Sequence, residues 1–205
     1  FLVCFLAVLV GATLCNAGYA QENKILMTTS QQYQNMVPNA SFESWDTTNS
    51  QPADWTKIAG PTLAQDSGVK KIGGYSVSVS SAAGTSSGGI RYTITVEPKT
   101  AYTLSFYYYS AVANQAEAEI DGNVTGDLVD KTVGNAFAST GGTWKRYAAT
   151  FTTATDTSVD IKLYAKADSG GVKTAYFDGV MLTEGHATPA FNTHVIADTG
   201  NQVMY

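Results

Sequence analysis

Beyond position 15 the chain has no cysteine, and its only histidines, His186 and His194, fall near the C-terminal end. A disulfide framework and thiol chemistry are therefore excluded from everything after the first segment. A zinc or redox-metal site built on paired Cys and His lacks its ligands. Cations are also scarce: 12 Lys and Arg stand against 17 Asp and Glu, a formal charge of -5 with a pI near 4.9. That balance argues against nucleic-acid binding, which needs a basic face. Only 14% of residues are charged, and long helix-period runs of Leu, Glu, Lys and Ala are missing. What the chain has instead is Thr, Ser, Val, Gly and Tyr in abundance, with 12 tyrosines and 19 glycines. These are the residues of strands and tight turns, and they point to an all-β protein. A length of 205 residues suits one globular domain with extra length at its ends.

Residues 1–20, FLVCFLAVLVGATLCNAGYA, carry no charge and end in small residues, with Gly18 and Ala20 placed as a G-x-A cleavage site. They read as a secretory signal peptide, which makes the expected location secreted or cell-surface, with no membrane contact after cleavage. The chain begins at Phe1 without Met or a basic stretch, so the expectation is of a fragment whose start is lost. An uncleaved anchor is the competing reading; the run is marginal in length for a bilayer, and the polar Gln21-Glu22-Asn23-Lys24 after it favours cleavage. Residues 21–34 are polar and without period, a flexible lead-in. The globular module is expected over 35–185, and 186–205 as a tail or the start of a further domain in the same chain.

Within 35–185, short alternating stretches are separated by Gly, Asn, Asp and Pro clusters. Strands are predicted at Tyr75–Ser80, Ile90–Val96, Ala101–Tyr109, Ala116–Ile120, Lys145–Phe151, Ser158–Tyr164 and Thr174–Leu182. Seven such strands make a two-sheet β-sandwich or jelly roll. Period-2 alternation then assigns faces. Ile90, Tyr92, Ile94 and Val96 oppose Arg91, Thr93 and Thr95; Val159, Ile161 and Leu163 oppose Asp160, Lys162 and Tyr164. In Leu104-Ser105-Phe106-Tyr107-Tyr108-Tyr109 the three tyrosines divide: Tyr108 inward with Leu104 and Phe106, Tyr107 and Tyr109 outward with Ser105.

Six pieces in order resemble the jelly-roll carbohydrate-binding modules of families 4, 9 and 22, a branch of the galactose-binding-like sandwiches. Asn39-Ala40-Ser41-Phe42-Glu43 is similar to the opening N-G-S-F-E, and Pro52-Ala53-Asp54-Trp55 to P-x-x-W. Gly73-Gly74-Tyr75-Ser76, Tyr102-Thr103-Leu104-Ser105-Phe106, and Trp144 with Phe151-Thr152 resemble three later words. Tyr176-Phe177-Asp178-Gly179-Val180-Met181-Leu182 resembles the closing Y-x-D-D-V-x-L, with Gly179 in the second Asp position. The resemblance implies a non-catalytic module that attaches its parent protein to a polysaccharide or glycan. It also implies a structural calcium ion, Ca2+, held by Asp178 and Glu43 with backbone carbonyls near Ser41 and Gly74, a hard-oxygen set of the kind this ion takes. Hydrogen bonding at strand ends is the alternative role for those two carboxylates.

Sugar binding needs an aromatic face to stack on a pyranose ring and polar groups for its hydroxyls. Tyr107 and Tyr109, roughly 7 Å apart along one strand, are the first candidates. Arg91, Glu117, Glu119 and Tyr164 also point to a wet face, and Trp45 stands in the loop after the first expected strand. Trp55 and Trp144 are expected in the core or at its rim. Catalysis lacks support: no carboxylate pair stands in a glycosidase context, no G-x-S-x-G elbow is present, and the glycine-rich Ser81–Gly89 precedes a strand rather than a helix. Two sequons, at Asn39 and Asn123, fit glycosylation formally, the first with a structural role in the opening word. The competing readings are a structural or adhesive spacer of a surface or tail-fibre-like assembly, and an accessory domain of a glycoside hydrolase.

Overall fold

In the computed structural model the described residues are 34–81, 88–112, 115–126, 137–166, 171–186 and 190–191. The signal-peptide segment, the lead-in through residue 33, the tip of the 81–89 connection and His194 lie outside them. All described residues belong to the unit Gln34–Tyr205. Among them there are strands and turns and no helix.

The alternating stretches fold as read, and shorter strands join them. In chain order the elements are β1 (Trp45–Asp46), β2 (Gln51–Pro52), β3 (Thr56–Ile58), β4 (Thr62–Asp66), β5 (Ser76–Ser81) and β6 (Gly88–Thr95). They continue as β7 (Ala101–Tyr109), β8 (Ala116–Asp121), β9 (Val124–Gly126), β10 (Lys145–Thr153), β11 (Ser158–Ala165) and β12 (Lys173–Glu184). Two large antiparallel sheets form the sandwich, in the orders β4-β5-β12-β7-β10-β9 and β3-β6-β11-β8, and β1 with β2 makes a separate ribbon. The expected two-sheet sandwich therefore has a third, two-stranded sheet. Trp45, expected in a loop, lies in that ribbon, because the chain before it forms turns rather than a first strand.

The core is built from the inward parity of each strand: Val77 and Val79, Ile90 and Ile94, Leu104 and Phe106, Ala118 and Ile120, Val159, Ile161 and Leu163, and Phe177. Trp55 is fully buried and packs on Phe42 and Tyr92 at centroid distances of 5.4 and 5.7 Å. Burial of these aliphatic and aromatic side chains, at about 1.5–3 kcal/mol each, is the main force closing one sheet on the other. Tyr108 is inward, packed on Phe137 at 4.9 Å, while Tyr107 and Tyr109 are half-buried on the other face.

β12 carries an irregularity between Asp178 and Met181, where its pairing with β7 shifts register. Gly179 has φ +56° there, a left-handed conformation that glycine takes without a steric cost. Buried Asn35 pins the start of the module to the same place: its Nδ2 donates to the Val180 carbonyl at 3.0 Å, and its Oδ1 accepts from Leu182 N at 3.1 Å.

Candidate functional site

The candidate residues fall on two different sheets. Arg91 (β6), Tyr164 (β11), Glu117 and Glu119 (β8) share the outer face of the four-stranded sheet, where Lys162 lies opposite both Arg91 and Glu119 and Tyr164 lies opposite Glu117. Tyr107 and Tyr109 stand on β7, in the six-stranded sheet. Trp45 lies in the β1–β2 ribbon and packs partly against the core. Alternation alone leaves open whether these residues share a sheet, and the structure puts them on two.

On the four-stranded sheet, the outward side chains bond to one another across neighbouring strands. Asp160 accepts from Thr93 Oγ1 at 2.5 Å and from Arg91 Nη1 at 3.4 Å. The Lys162 ammonium bonds to Asp121 and stands 3.6 Å from Glu119 Oε2, and the Tyr164 hydroxyl donates to that same Glu119 oxygen at 3.2 Å. Lys166 Nζ is 3.9 Å from Glu117 Oε1. Glu117 and Glu119, expected on a wet face, are each only 5% exposed. Their parity is outward as read, but the carboxylates pair with Lys162, Lys166 and Tyr164, and the resulting layer takes them out of bulk water.

Burial shifts the titration of this network. It pushes the Tyr164 hydroxyl up, and the neighbouring Glu119 carboxylate pushes it further, so Tyr164 stays a neutral donor. For Lys162, burial acts to lower its value, but the bond to Asp121 and the charges of Glu119, Asp121 and Asp160 outweigh it and hold the ammonium above its ordinary range. The face is therefore a fixed array of charged acceptors and donors with one aromatic ring among them.

The six-stranded sheet is closed over much of its outer face. Thr103, Ser105, Asp178 and Met181 are all buried. Ser105, expected outward and open, accepts from Arg146 Nη2 at 2.9 Å and lies opposite Met181, which together cover it. At one end of this face the rings of Tyr109, Trp144 and Tyr176 meet, and Tyr107 lies between Lys71 and Arg146.

Asp178 and Glu43, the expected cation ligands, grip the same loop. Asp178 Oδ2 accepts from Lys71 N and Ile72 N at 2.8 Å each, and its Oδ1 from Gly179 N at 2.7 Å. Glu43 accepts from Gly74 N at 3.0 and 3.1 Å and from Tyr75 N at 3.2 Å. Burial raises Asp178 to about 6 against the pull of its three N–H donors, and the negative charge of Glu43 adds to the rise. Two carboxylates near one another, one of them fully buried, form a donor set that a hard cation suits. A carboxylate has about four lone-pair sites, so Asp178 Oδ1 and Glu43 Oε2, with one N–H each, retain unused ones, while among the described residues no third His, Cys, Asp or Glu joins them in a metal-ligating group. Gly74 meets Glu43 through its N–H, and Ser41 is buried, flanked by the Ala40 and Phe42 carbonyls that accept from Val180 N and Gln65 Nε2.

Asp160, Lys162 and Lys166 on the first face, and Trp144, Arg146, Tyr176 and Lys71 on the second, were absent from the sequence-based candidates. Asp160 and Lys162 share the parity of Tyr164 along β11, which was the signal for them. Lys71 lies in a loop, where no period marks it.

No curated protein matches the chain. Among solved structures, it is similar to the CBM22-1 xylan-binding domain of Xyn10C from Paenibacillus barcinonensis, at 14% identity and TM-score 0.56, over 78% of this chain and all of that one. An arabinose-bound α-L-arabinofuranosidase matches at 16% identity and TM-score 0.55, over 74% of this chain and 26% of that one. The enzymatically active domain of bacteriophage CBA120 tailspike protein 4 matches at 17% identity and TM-score 0.51, over 74% of this chain and 21% of that one. These likenesses agree on the sandwich. The model of the carbohydrate binding domain family of the 4/9 type matches residues 34–171, two thirds of the chain, and with the motifs and the fold it makes this protein a member of that family, a non-catalytic carbohydrate-binding module.

Proposed function

We propose that the module holds its parent protein to a polysaccharide or glycan through the outer face of the four-stranded sheet. The observation that carries this reading is the layer of Glu117, Glu119, Lys162 and Tyr164, whose charged and hydroxyl groups are pre-positioned by one another on the outside of the sandwich. Buried Glu117 and Glu119 act as fixed supports, and the more exposed groups of the face, Arg91 and Asp121, meet sugar hydroxyls with charge-assisted hydrogen bonds and lose little freedom on doing so. Tyr164 supplies the ring against which a pyranose face stacks. Xylan, for which the Paenibacillus domain is named, heads the panel of polysaccharides to try. Tyr164→Ala should weaken retention on the bound polysaccharide about tenfold, the loss of roughly 1.4 kcal/mol, with Glu117→Gln acting in the same direction. Unchanged retention of both variants would reject this face.

The likeness to parts of an arabinofuranosidase and of a tailspike supports two settings for such a module, an accessory domain of a glycoside hydrolase and a spacer in a surface assembly. The apolar segment at residues 1–20 supports export to the cell exterior. A calcium ion on Asp178 and Glu43 would tie the start of the module to β12 and the Lys71–Tyr75 loop. It would supply only charge there and takes no part in sugar chemistry. Titrating calcium into chelator-treated protein should raise the melting temperature, since a ligand of the native state stabilises by about 2.7 kcal/mol at 100 times its Kd. Asp178→Asn should remove that rise; a melting temperature indifferent to calcium would remove the ion.

A further inference from the structure

The half-buried end of the six-stranded sheet's outer face carries a second cluster that the first site does not use. Register across β12, β7 and β10 sets Tyr176 opposite Tyr109, and Asp178 and Arg146 on either side of Tyr107. The Tyr109 ring meets Trp144 at 5.8 Å and, edge-on, Tyr176 at 5.6 Å. All three are half-buried, so each keeps an edge or face in water. Beyond Tyr176 the next strands place Ser78 and then Ala64 in the same row, so the rings step down onto small side chains.

Two positions along β7, the Lys71 ammonium lies 5.4 Å and the Arg146 guanidinium 5.8 Å from the centre of the Tyr107 ring. The acids at this end are turned onto backbone N–H groups. Asp178 holds Lys71, Ile72 and Gly179; Glu43 holds Gly74 and Tyr75; Asp66 holds Gly68 and Val69. Among the described residues Lys71 is in no ion pair. In a chain of net charge -5, two cations stand over the Tyr107 ring, while the Asp66 carboxylate acts on Tyr176.

We propose that this face is a second saccharide contact, separate from the four-stranded sheet, and that it takes an acidic sugar. A pyranose ring of a uronic acid stacks on the Tyr109–Trp144–Tyr176 row, and its carboxylate meets Lys71 and Arg146. The rings select a flat apolar sugar face, and the two cations select its charge.

Trigalacturonate and its methyl ester are suitable probes, being the same sugar with and without the anion. Titrated calorimetrically into the full chain at low salt, the acid should bind at least about tenfold more tightly than the ester, as a lost charge-assisted hydrogen bond requires. Tyr109→Ala and Lys71→Gln should each weaken the acid about fivefold or more. Lys71 is exposed, so its variant tests the site even if Tyr109→Ala disturbs folding. Tyr164→Ala should leave this binding unchanged, which separates it from the polysaccharide retention of the first face. Equal binding of acid and ester, no binding of either, indifference to Lys71→Gln, or loss only in Tyr164→Ala would each overturn the assignment.

Discussion

Tyr107, Tyr108 and Tyr109 are chemically identical and do three different things. Tyr108 is core, against Phe137; Tyr107 carries two cations near its ring; Tyr109 joins Trp144 and Tyr176. The difference comes from strand parity and from what each neighbouring strand places opposite. Gly179 shows the same dependence on place. The resemblance expects an aspartate there, but φ is +56°, and a Cβ would stand 3.0 Å from Tyr107 Cδ2, 3.2 Å from Ile72 Cγ1 and 3.4 Å from Phe191 Cδ2. A side chain is therefore opposed twice, by backbone strain and by Tyr107 and Ile72, which would have to give way by a few tenths of an ångström. Gly179→Ala should lower unfolding free energy by about 1–2 kcal/mol from the left-handed backbone alone, with the contacts adding to it. Gly60→Ala is the control: a Cβ there meets nothing within 4 Å, and its effect should stay within about 0.5 kcal/mol. Urea unfolding of the two variants side by side checks this, and similar midpoints would mean that the bend at Gly179 does not need glycine.

At the scale of elements, the sequence shows clearly what repeats along a strand and poorly what pairs across strands. Ala101–Tyr109 was predicted with the bounds it has, because nine residues of alternation carry a strong signal. β1, β2, β3, β4 and β9 escaped, each being two to five residues long. β4 buries only Leu63 among its five residues, too little to establish a period. The site suffered from the same limit in another form. Arg91 and Tyr107 were both correctly read as facing away from the core, yet β6 and β7, though consecutive, belong to opposite sheets. Two outward side chains on successive strands consequently look in opposite directions. Sheet membership is fixed by pairing over long sequence separations, β6 with β11 and β7 with β10 and β12, and local alternation holds no record of it. The opening and closing motif words mark Glu43 and Asp178 at fixed places in the chain, and both grip the Lys71–Tyr75 loop, whereas Lys71 and Arg146 come together only once three strands and a loop are assembled.

For the whole molecule, the buried carboxyl of Asp178 couples stability to pH in a direction opposite to that of a salt-bridged acid. Burial, with Glu43 nearby, raises it from an ordinary value of 3.8 to about 6. The native state therefore holds this proton more tightly than the unfolded chain does. Between about pH 4 and pH 6 the folded protein keeps a proton that the unfolded chain has released, so this group's contribution to stability falls as pH rises. Below that window the group is neutral in both states and the penalty vanishes; above it the penalty is complete, of the order of 3 kcal/mol for a displacement of about two pH units. Other carboxylates titrate in the same range, so the contribution is isolated by difference. In chelator-treated protein, the stability of the parent relative to Asp178→Asn should be greater at pH 4 than at pH 7. Bound calcium would favour the ionised carboxylate and lower its value, so adding the ion should shrink that difference. Denaturant unfolding of both proteins across pH 4–7, with and without calcium, measures both effects. A parent-to-variant difference that stays flat with pH would mean that Asp178 titrates in the folded state as it does in the unfolded chain, its three backbone N–H donors offsetting its burial.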